Sequence, residues 1–376
     1  NVAVGVSALG ANTTGSANVA IGKLALAANT TASLNTAIGN EALDTNTTGA
    51  SNVAVGYAAL YANTTAGNNV AVGVNALKAN TTGANNVAVG SLALDANTTA
   101  SRNTGVGTSS LSANTTGAEN TAVGYQSMNN STTGNRNVAV GDVALDVNTT
   151  GDDNTAIGQG AMGANTTGSQ NVAVGQSALD AGTTASFNTA VGYGAMTNCT
   201  ESYQAAFGHT ALAALTTGTR NNAFGAFSLD ANTTGSNNTA MGYAALGANT
   251  TGTENTAVGA LACEDITTGT NNTGLGQGAL LNTTTGIRNT VVGASACTTL
   301  TGGNYNTVMG FAAASAHTGS ALTAIGYSAA GANTSGTNNT AVGYNSLGAN
   351  TTGSYNTAVG LEAAQALTTG GSNTAI

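Results

Sequence analysis

Proline and tryptophan are absent from this chain of 376 residues, and only 6% of its residues are charged. The six basic residues are scattered, so no cluster of Lys and Arg can neutralise several phosphates, and nucleic-acid binding is not expected. The chain also lacks the run of about 20 apolar residues that spans a bilayer. No cleavable signal peptide is visible. These absences exclude a nucleic-acid-binding protein and membrane insertion by this sequence.

What the chain has instead is a repeat of 17 residues, N-[TV]-A-[VI]-G-x-x-A-L-x-A-N-T-T-G-x-x, whose units open at Asn1, Asn18 and equivalent residues. We number the places of each unit from one, at this Asn, to 17. A short fixed period indicates that each unit is one coil that buries its apolar side by stacking on its neighbours. The sequence predicts a single array of about 22 coils over 1–376, with 16-residue coils at 188–203 and 306–321, as a segment of a longer chain.

Each coil is predicted to contain two short β-strands. The segment N-[TV]-A-[VI]-G has β-branched residues at places two and four and is typical of a strand. A glycine closes it at place five, as at Gly5 and Gly22, which indicates positive φ or close backbone approach. A second strand is expected over x-x-A-L, and A-N-T-T-G has the chemistry of a turn. The sequence thus predicts an all-β fold, a parallel β-solenoid.

The alternation of side chains along the first strand predicts which residues form the core. We expect places two and four to point inward, towards Leu9 and its equivalents, and place three to point outward. Place three is Ala in almost every unit, with Gly105, Gly274, Val291 and Val308 as variants. An outward apolar column of that kind marks an interface. It predicts that other copies of the chain cover it; the alternative is a monomer with a harmless alanine stripe.

Two polar columns are interpreted as structural. The asparagines at places one and twelve, such as Asn1 and Asn12, are expected to form ladders in which each side-chain amide bonds the next rung. The threonine pair that follows, Thr13 and Thr14 in the first unit, is expected to form a hydroxyl ladder. Both columns stabilise the corners of the coil.

The motif N-T-A-V-G, with N-V-A-I-G at Asn18 to Gly22, resembles the head repeats of YadA-like trimeric autotransporter adhesins. Similar repeats occur in phage tail fibres and other large surface proteins. The likeness covers all units, although each is longer than the family's usual unit, with the extra residues in the N-T-T-G corner. It implies a left-handed parallel β-roll, an intertwined or side-by-side homotrimer, an extracellular setting at a cell or virion surface, and attachment to a host-surface glycan or an extracellular-matrix protein.

No catalytic residue, cofactor or metal site is predicted. Neither His209 nor His317 has a Cys, Asp, Glu or second His at ligand spacing in its coil, and we interpret both as solvated corner residues. Acidic residues recur at place ten, mostly two or three coils apart, which is about 10–15 Å and too far to share a cation. We interpret them as a solvated stripe; they are Asp44, Asp95, Asp146, Asp180, Asp230 and Glu264.

Paired carboxylates for polysaccharide cleavage are also not expected. The nearby acidic pairs are Asp152–Asp153 and Glu264–Asp265. Adjacent strand residues point to opposite sides, so neither pair is predicted to flank one glycosidic bond.

The three cysteines do not form a disulfide framework. Cys263 and Cys297 stand at place nine, where Leu or Met is usual, two coils apart. That is about 9–10 Å, too far for a disulfide, and we interpret both as buried hydrophobic residues. Cys199 lies in an irregular unit and is left unassigned.

Tyrosines at place six are the only candidate contact residues. The same place also takes Lys23, Asp142 and Gln159, so it is expected to face water. Exposed tyrosines are favoured at binding surfaces, but the simpler interpretation is that they are scattered surface aromatics that fill a corner groove. The six are Tyr57, Tyr125, Tyr193, Tyr243, Tyr327 and Tyr344.

The leading functional hypothesis is a structural extracellular fibre, an adhesin-like head region that mediates attachment without catalysis. The alternative is an ice-binding β-solenoid that uses the Thr-Thr ladder. Against that alternative, the threonine pair lies next to glycine in a turn, whereas an ice-binding array needs a flat strand face.

Overall fold

The computed structural model describes residues 1–376 and contains strands and turns but no helix. It divides into two compact units, Asn1–Asn188 and Thr189–Ile376. In each unit every coil contributes one short strand to a parallel sheet, which confirms the predicted all-β parallel β-solenoid. No helix of the length and apolarity needed to cross a membrane is present.

The first unit holds eleven strands: β1 (Val2–Val4), β2 (Val19–Ile21), β3 (Thr36–Ile38), β4 (Val53–Val55), β5 (Val70–Val72), β6 (Val87–Val89), β7 (Thr104–Val106), β8 (Thr121–Val123), β9 (Val138–Val140), β10 (Thr155–Ile157) and β11 (Val172–Val174). The second holds twelve: β12 (Thr189–Val191), β13 (Ala205–Phe207), β14 (Asn222–Phe224), β15 (Thr239–Met241), β16 (Thr256–Val258), β17 (Thr273–Leu275), β18 (Thr290–Val292), β19 (Thr307–Met309), β20 (Thr323–Ile325), β21 (Thr340–Val342), β22 (Thr357–Val359) and β23 (Thr374–Ala375).

Strands of successive coils pair in parallel, with equivalent places opposite one another. In the first unit Val2 lies opposite Val19, and every later pair keeps this shift of one repeat. In the second unit the shift shortens by one residue between β12 and β13 and between β19 and β20. The deletions fall in the corners, so the residues of each place remain aligned in columns.

The alanine at place three points into the coil, and the residues beside it point outward. Ala20 and Ala37 have no exposed surface, whereas Ile21 and Ile38 are 39% and 37% exposed. This corrects the expectation that places two and four form the core and that the alanines face another chain. The coil is so thin that a methyl group fills place three in most coils, with the buried Val291 and Val308 as the larger exceptions.

Glycines at place three show what the alanines contact. A Cβ added at Gly105 would lie 3.3 Å from Cγ of Leu94, at place nine of the preceding coil. At the larger Val308, place nine of the preceding coil is the smaller Cys297. Places three and nine therefore share one core volume along the solenoid.

The segment x-x-A-L forms turns and is not the predicted second strand. Places seven and nine adopt left-handed backbone conformations, with φ of 60° at Leu24 and 54° at Leu26. Their N–H groups bond in opposite directions, Leu24 to the Val6 carbonyl of the preceding coil and Leu26 to the Ala42 carbonyl of the following coil. As a result Ala25 and Leu26 are both buried, which the alternation of a strand would not allow.

The glycine at place five meets both conditions that the sequence indicated. Gly22 has a φ of +135°, and a Cβ there would lie 2.3 Å from the carbonyl oxygen of Gly39. No side chain fits between successive coils at this corner, which explains why every coil has glycine at this place.

The asparagine columns are confirmed as buried ladders. Within one coil, Asn18 and Asn29 both donate to the Ala32 carbonyl, at 2.8 and 3.0 Å. Asn29 also donates to Oδ1 of Asn12 at 2.9 Å, and Oδ1 of Asn18 accepts the backbone N–H of Asn35 at 2.9 Å. A buried amide is costly unless it is hydrogen-bonded, and these bonds meet that requirement. The two asparagines of a coil thus close their own coil and connect it to the neighbouring coils.

The ladder at place twelve is interrupted in both units. The residues that stand there instead of Asn are Ser131, Gly182, Cys199, Leu215, Ile266, Thr283, Leu300, His317 and Leu367. In the coil of Leu215, Gln204 replaces the asparagine of place one, and its longer side chain still donates to the Gly218 carbonyl at 2.8 Å. The closing bond of the coil is thus kept by a different residue.

The three cysteines are free and buried. Cys263 and Cys297 fill place nine as predicted, and burial raises the pKa of each thiol to about 12. Cys199 proves to occupy place twelve, where burial raises its pKa to about 11. All three thiols are therefore protonated core residues at neutral pH.

Candidate functional surfaces

The outer side of the sheet, formed by places two and four, is here called the strand face. Place four is Val, Ile, Leu, Met or Phe in every coil, and neither place carries a charge in any coil. Val89, Val140 and Ile157 are 37%, 36% and 40% exposed. The residues on a sheet face that meets water are normally polar, whereas a contiguous row of exposed apolar residues is typical of interaction surfaces.

The strand face changes in character along the second unit. Phe207 and Phe224 stack with ring centroids 4.8 Å apart and planes 7° apart, and Met241 follows them, 45% exposed. From Thr239 to Thr374 place two is Thr in every coil, beside aliphatic residues at place four. This part of the face combines regularly spaced hydroxyls with apolar side chains.

The predicted contact tyrosines at place six all lie on the surface, each about half exposed. Tyr57 and Tyr125 stand among non-aromatic neighbours of the same place. The other four belong to two aromatic runs in the second unit. The first aromatic run is Tyr193, His209, Phe227 and Tyr243, and the second is Phe311, Tyr327 and Tyr344.

The second aromatic run is a regular stack. Ring centroids lie 5.6 Å apart between Phe311 and Tyr327 and 5.2 Å apart between Tyr327 and Tyr344, with planes 16° and 9° apart. Rings stacked in this way cover one another's faces and present their edges and the tyrosine hydroxyls to solvent. The run therefore offers an amphipathic edge and not a flat stacking platform.

Beside the first aromatic run lies a cleft of about 370 Å³. Gly247 lines it at place ten, where the coils before and after carry Asp230 and Glu264. The residues that line it include Phe227, Tyr243, Asp230, Glu264 and Asp265, with no basic side chain among them. Sequence reasoning missed this site, because Gly between two acidic residues of place ten also occurs at Gly163 and does not by itself indicate a cleft.

Glu264 and Asp265 both line the cleft, contrary to the expectation that neighbouring residues point to opposite sides. The reason is that this segment is a turn and not a strand. Burial raises the pKa of the Asp230 carboxyl, and burial together with the charge of Asp265 raises the pKa of the Glu264 carboxyl. The cleft thus combines carboxylate acceptors with aromatic side chains.

The acidic residues at place ten are not the fully solvated stripe that was expected. Asp95, Asp146 and Asp180 are half-buried, and desolvation by burial raises the pKa of each carboxyl. No group of three or more His, Cys, Asp and Glu side chains has the arrangement needed to hold a metal ion.

The threonine pair has two different roles. At place thirteen the hydroxyl donates to a backbone carbonyl of the next coil, as from Thr13 to Thr30 at 3.0 Å. The column is therefore a hydroxyl-to-carbonyl ladder and not a ladder of hydroxyls alone. At place fourteen, residues such as Thr48 and Thr82 are exposed. Only one of the two threonine columns is thus open to a ligand.

Of the two histidines, His209 is exposed as expected and only His317 differs from the solvated corner residue that was predicted. His209 belongs to the first aromatic run, 5.2 Å from both Tyr193 and Phe227 by ring centroids. His317 is fully buried. Its position at place twelve, a core place, was the signal that the sequence already contained.

Comparison with protein-family models and with curated proteins finds no match to this chain.

Proposed function

We propose that this chain is a structural extracellular fibre, an adhesin-like head region that extends from a cell or virion surface and mediates attachment without catalysis. The observation that carries the proposal is the exposed, uncharged strand face, apolar at place four in every coil. A solenoid with such a face is suited to lateral assembly. An enzyme pocket requires residues that occur only once, and this repetitive sequence contains few of them.

The occupant proposed for the strand face is the same face of other copies of the chain. Parallel copies around one axis bring the same coil of each copy to the same height, so that Val or Ile meets Val or Ile at each rung. The absence of charge at places two and four means that no charge is buried without a partner by this association. The number three follows from the resemblance to YadA-like head repeats.

Mass photometry of the full chain tests the assembly. We expect a species of about three times 36.0 kDa. Val89→Lys with Val140→Lys should shift it to the single-chain mass, because lysines would be desolvated in the interface. Asp142→Lys, an exposed residue at place six, is the matched control and should leave the mass unchanged. A wild-type chain that stays at 36.0 kDa at micromolar concentration would overturn the assembly.

For attachment, we propose that the place-six surface of the second unit, with its cleft, contacts a host-surface glycan or an extracellular-matrix protein. Tyrosine edges and hydroxyls beside carboxylate acceptors match the mixture of C–H and O–H groups that a sugar presents. Localisation at a cell or virion surface is part of the same proposal.

Glycan-array and matrix-protein binding of the full chain tests this contact. Tyr243→Ser with Asp230→Asn, and separately Tyr327→Ser with Tyr344→Ser, should each weaken binding at least about tenfold if their surface is the one used. Tyr355→Ser, which removes a 67% exposed tyrosine elsewhere on the coil, is the control. Binding unaffected by both pairs would contradict the assignment, and release of sugar fragments by the wild type would contradict the non-catalytic role.

A second candidate function, ice binding, is supported by one observation of the strand face. From β15 to β23 the face repeats Thr beside an aliphatic residue on a parallel sheet, with rungs about 4.8 Å apart. This is a better candidate than the turn threonines, half of whose hydroxyls are bonded. Thermal hysteresis by a single-chain species that Thr290→Lys with Thr323→Lys abolishes would favour this function. A trimer without hysteresis would remove it.

A further inference from the structure

The shortened coil 306–321 carries a histidine where a core asparagine is usual. His317 stands at place twelve and has no exposed surface. Gly319 lies against it, since a Cβ there would be 3.0 Å from Cε1 of the ring. The imidazole therefore takes the position from which an asparagine closes a regular coil.

The hydrogen bonds around His317 fix its tautomer. Oδ1 of Asn306 accepts the backbone N–H of Leu322 at 2.9 Å, so this oxygen is an acceptor. Nε2 of His317 lies 3.2 Å from the same oxygen and must therefore carry the proton. Nδ1 is then unprotonated, buried, and without a hydrogen-bond partner.

The surroundings of His317 contain no charge. Between Arg288 and Glu362 the chain has no Asp, Glu, Lys or Arg, so no charged side chain of the coils packed on either side faces the ring. The other titratable side chains of this stretch are the buried thiol of Cys297 and four exposed tyrosines, Tyr305, Tyr327, Tyr344 and Tyr355. No anion is available to compensate a proton on the imidazole.

We propose that His317 is an acid-sensitive latch, which holds the coil 306–321 closed as a neutral Nε2–H imidazole and releases it on taking up a proton at Nδ1. Phe311 lies in the same coil and stacks on Tyr327, so release also breaks the second aromatic run. The latch does not depend on the adhesive role proposed for that surface.

The direction of the pH dependence follows from burial. Desolvation lowers the pKa of His317 from 6.5 to about 4, against a smaller opposing effect of the Gly319 and Asn333 carbonyls. The open coil therefore takes up the proton more readily than the closed coil. The stabilisation of the closed coil by the neutral imidazole is complete above the ordinary pKa of 6.5 and is lost as pH falls towards 4. Across that window the opening equilibrium should rise roughly 100-fold.

Hydrogen–deuterium exchange of the full chain, corrected for intrinsic exchange rates, tests the latch. Amide protection of peptides covering 306–321 should fall roughly 100-fold between pH 7 and pH 4 in the wild type. His317→Asn restores the usual residue of place twelve and should remove the difference between this coil and its neighbours. Coil 69–85 of the first unit serves as the internal control. An equal fall in the amide protection of coil 306–321 in the wild type and in His317→Asn, or no fall in either protein, overturns the proposal.

Direct titration decides the matter if His317→Asn does not fold. The chain has two histidines. Comparing the imidazole NMR signals of the wild type with those of His209→Gln therefore assigns each signal to its histidine. The His317 signal should remain that of a neutral ring at pH 5.5 and change together with the amide signals of its coil below that pH. A His317 signal that titrates near 6.5 while the coil stays unchanged contradicts the latch.

Discussion

At the scale of single residues, backbone conformation and burial decide what each place accepts. Glycine at place five and residues at place seven both have positive φ, but for different reasons. Gly276 has a φ of +129° and a neighbouring backbone within 2.7 Å of an added Cβ, whereas Gly278, in the same coil, has a φ of +60° and open space around it. The first is a steric requirement, and the second only a conformational preference.

We expect Gly276→Ala to destabilise the fold by at least about 3 kcal/mol, because the cost of backbone strain is added to the cost of a clash between coils. Gly278→Ala should cost only about 1 kcal/mol, since its left-handed φ is shared by many non-glycine residues of place seven. Denaturant unfolding of the two variants measures the difference. Equal costs would show that contact between coils does not determine place five.

A second prediction at this scale concerns a buried amide. Asn154 donates to the Gly168 carbonyl at 2.8 Å and accepts the Asn171 N–H at 3.1 Å. Asn154→Asp would place a carboxylate against that carbonyl, at a cost of about 3 kcal/mol at pH 7. Burial raises the pKa of such a group, so part of the loss should be recovered in acid, where the neutral acid donates as the amide did.

Thermal unfolding at pH 7 and pH 4 checks this, with Asn68→Asp as the control because Asn68 is exposed. The ladder would be contradicted if Asn154→Asp lost no more thermal stability than Asn68→Asp at pH 7. It would also be contradicted if the loss of stability in Asn154→Asp were larger at pH 4 than at pH 7.

At the scale of the coil, the sequence was sufficient for the period, the first strand, the glycine corner and the asparagine ladders. It was misleading about which side of the strand is inside. The rule that β-branched residues belong to the core holds for wide sheets. In this narrow interior the core residue of the strand is usually an alanine such as Ala20, with Val291 and Val308 as larger exceptions. The paired burial of Ala25 and Leu26 carried the missing information, because two adjacent core residues exclude strand alternation.

The adjacent residues of β9 test this orientation. Ala139 is fully buried and Val140 is 36% exposed. We expect Ala139→Leu to destabilise the chain by about 2 kcal/mol or more through overpacking. Val140→Leu should be nearly neutral, since Leu275 occupies the same place in another coil. The unfolding midpoints of the two variants are compared under conditions in which both have the same oligomeric state. A larger destabilisation by Val140→Leu than by Ala139→Leu would place the alanines outside.

At the scale of the whole molecule, the candidate sites were only partly visible in the sequence. The place-six tyrosines were found because their column also takes charged residues. The cleft at Gly247 was not, because it depends on turn geometry that brings neighbouring places to one side. The burial of His317 could have been predicted from its position at place twelve, a core place. Because the alanines are buried, the side chains proposed to meet between copies are those of the strand face and not the alanines.

The most direct test of the account is cross-linking by single cysteines in β9. The native thiols of Cys199, Cys263 and Cys297 are buried, so they give a low background. Under mild oxidation Val140→Cys should form disulfides between copies, because the proposed assembly brings equivalent residues of place four together near a common axis. Ala139→Cys should form none. Covalent multimers from Ala139→Cys, or a Val140→Cys chain that stays single and reacts freely with a soluble thiol reagent, would contradict the account.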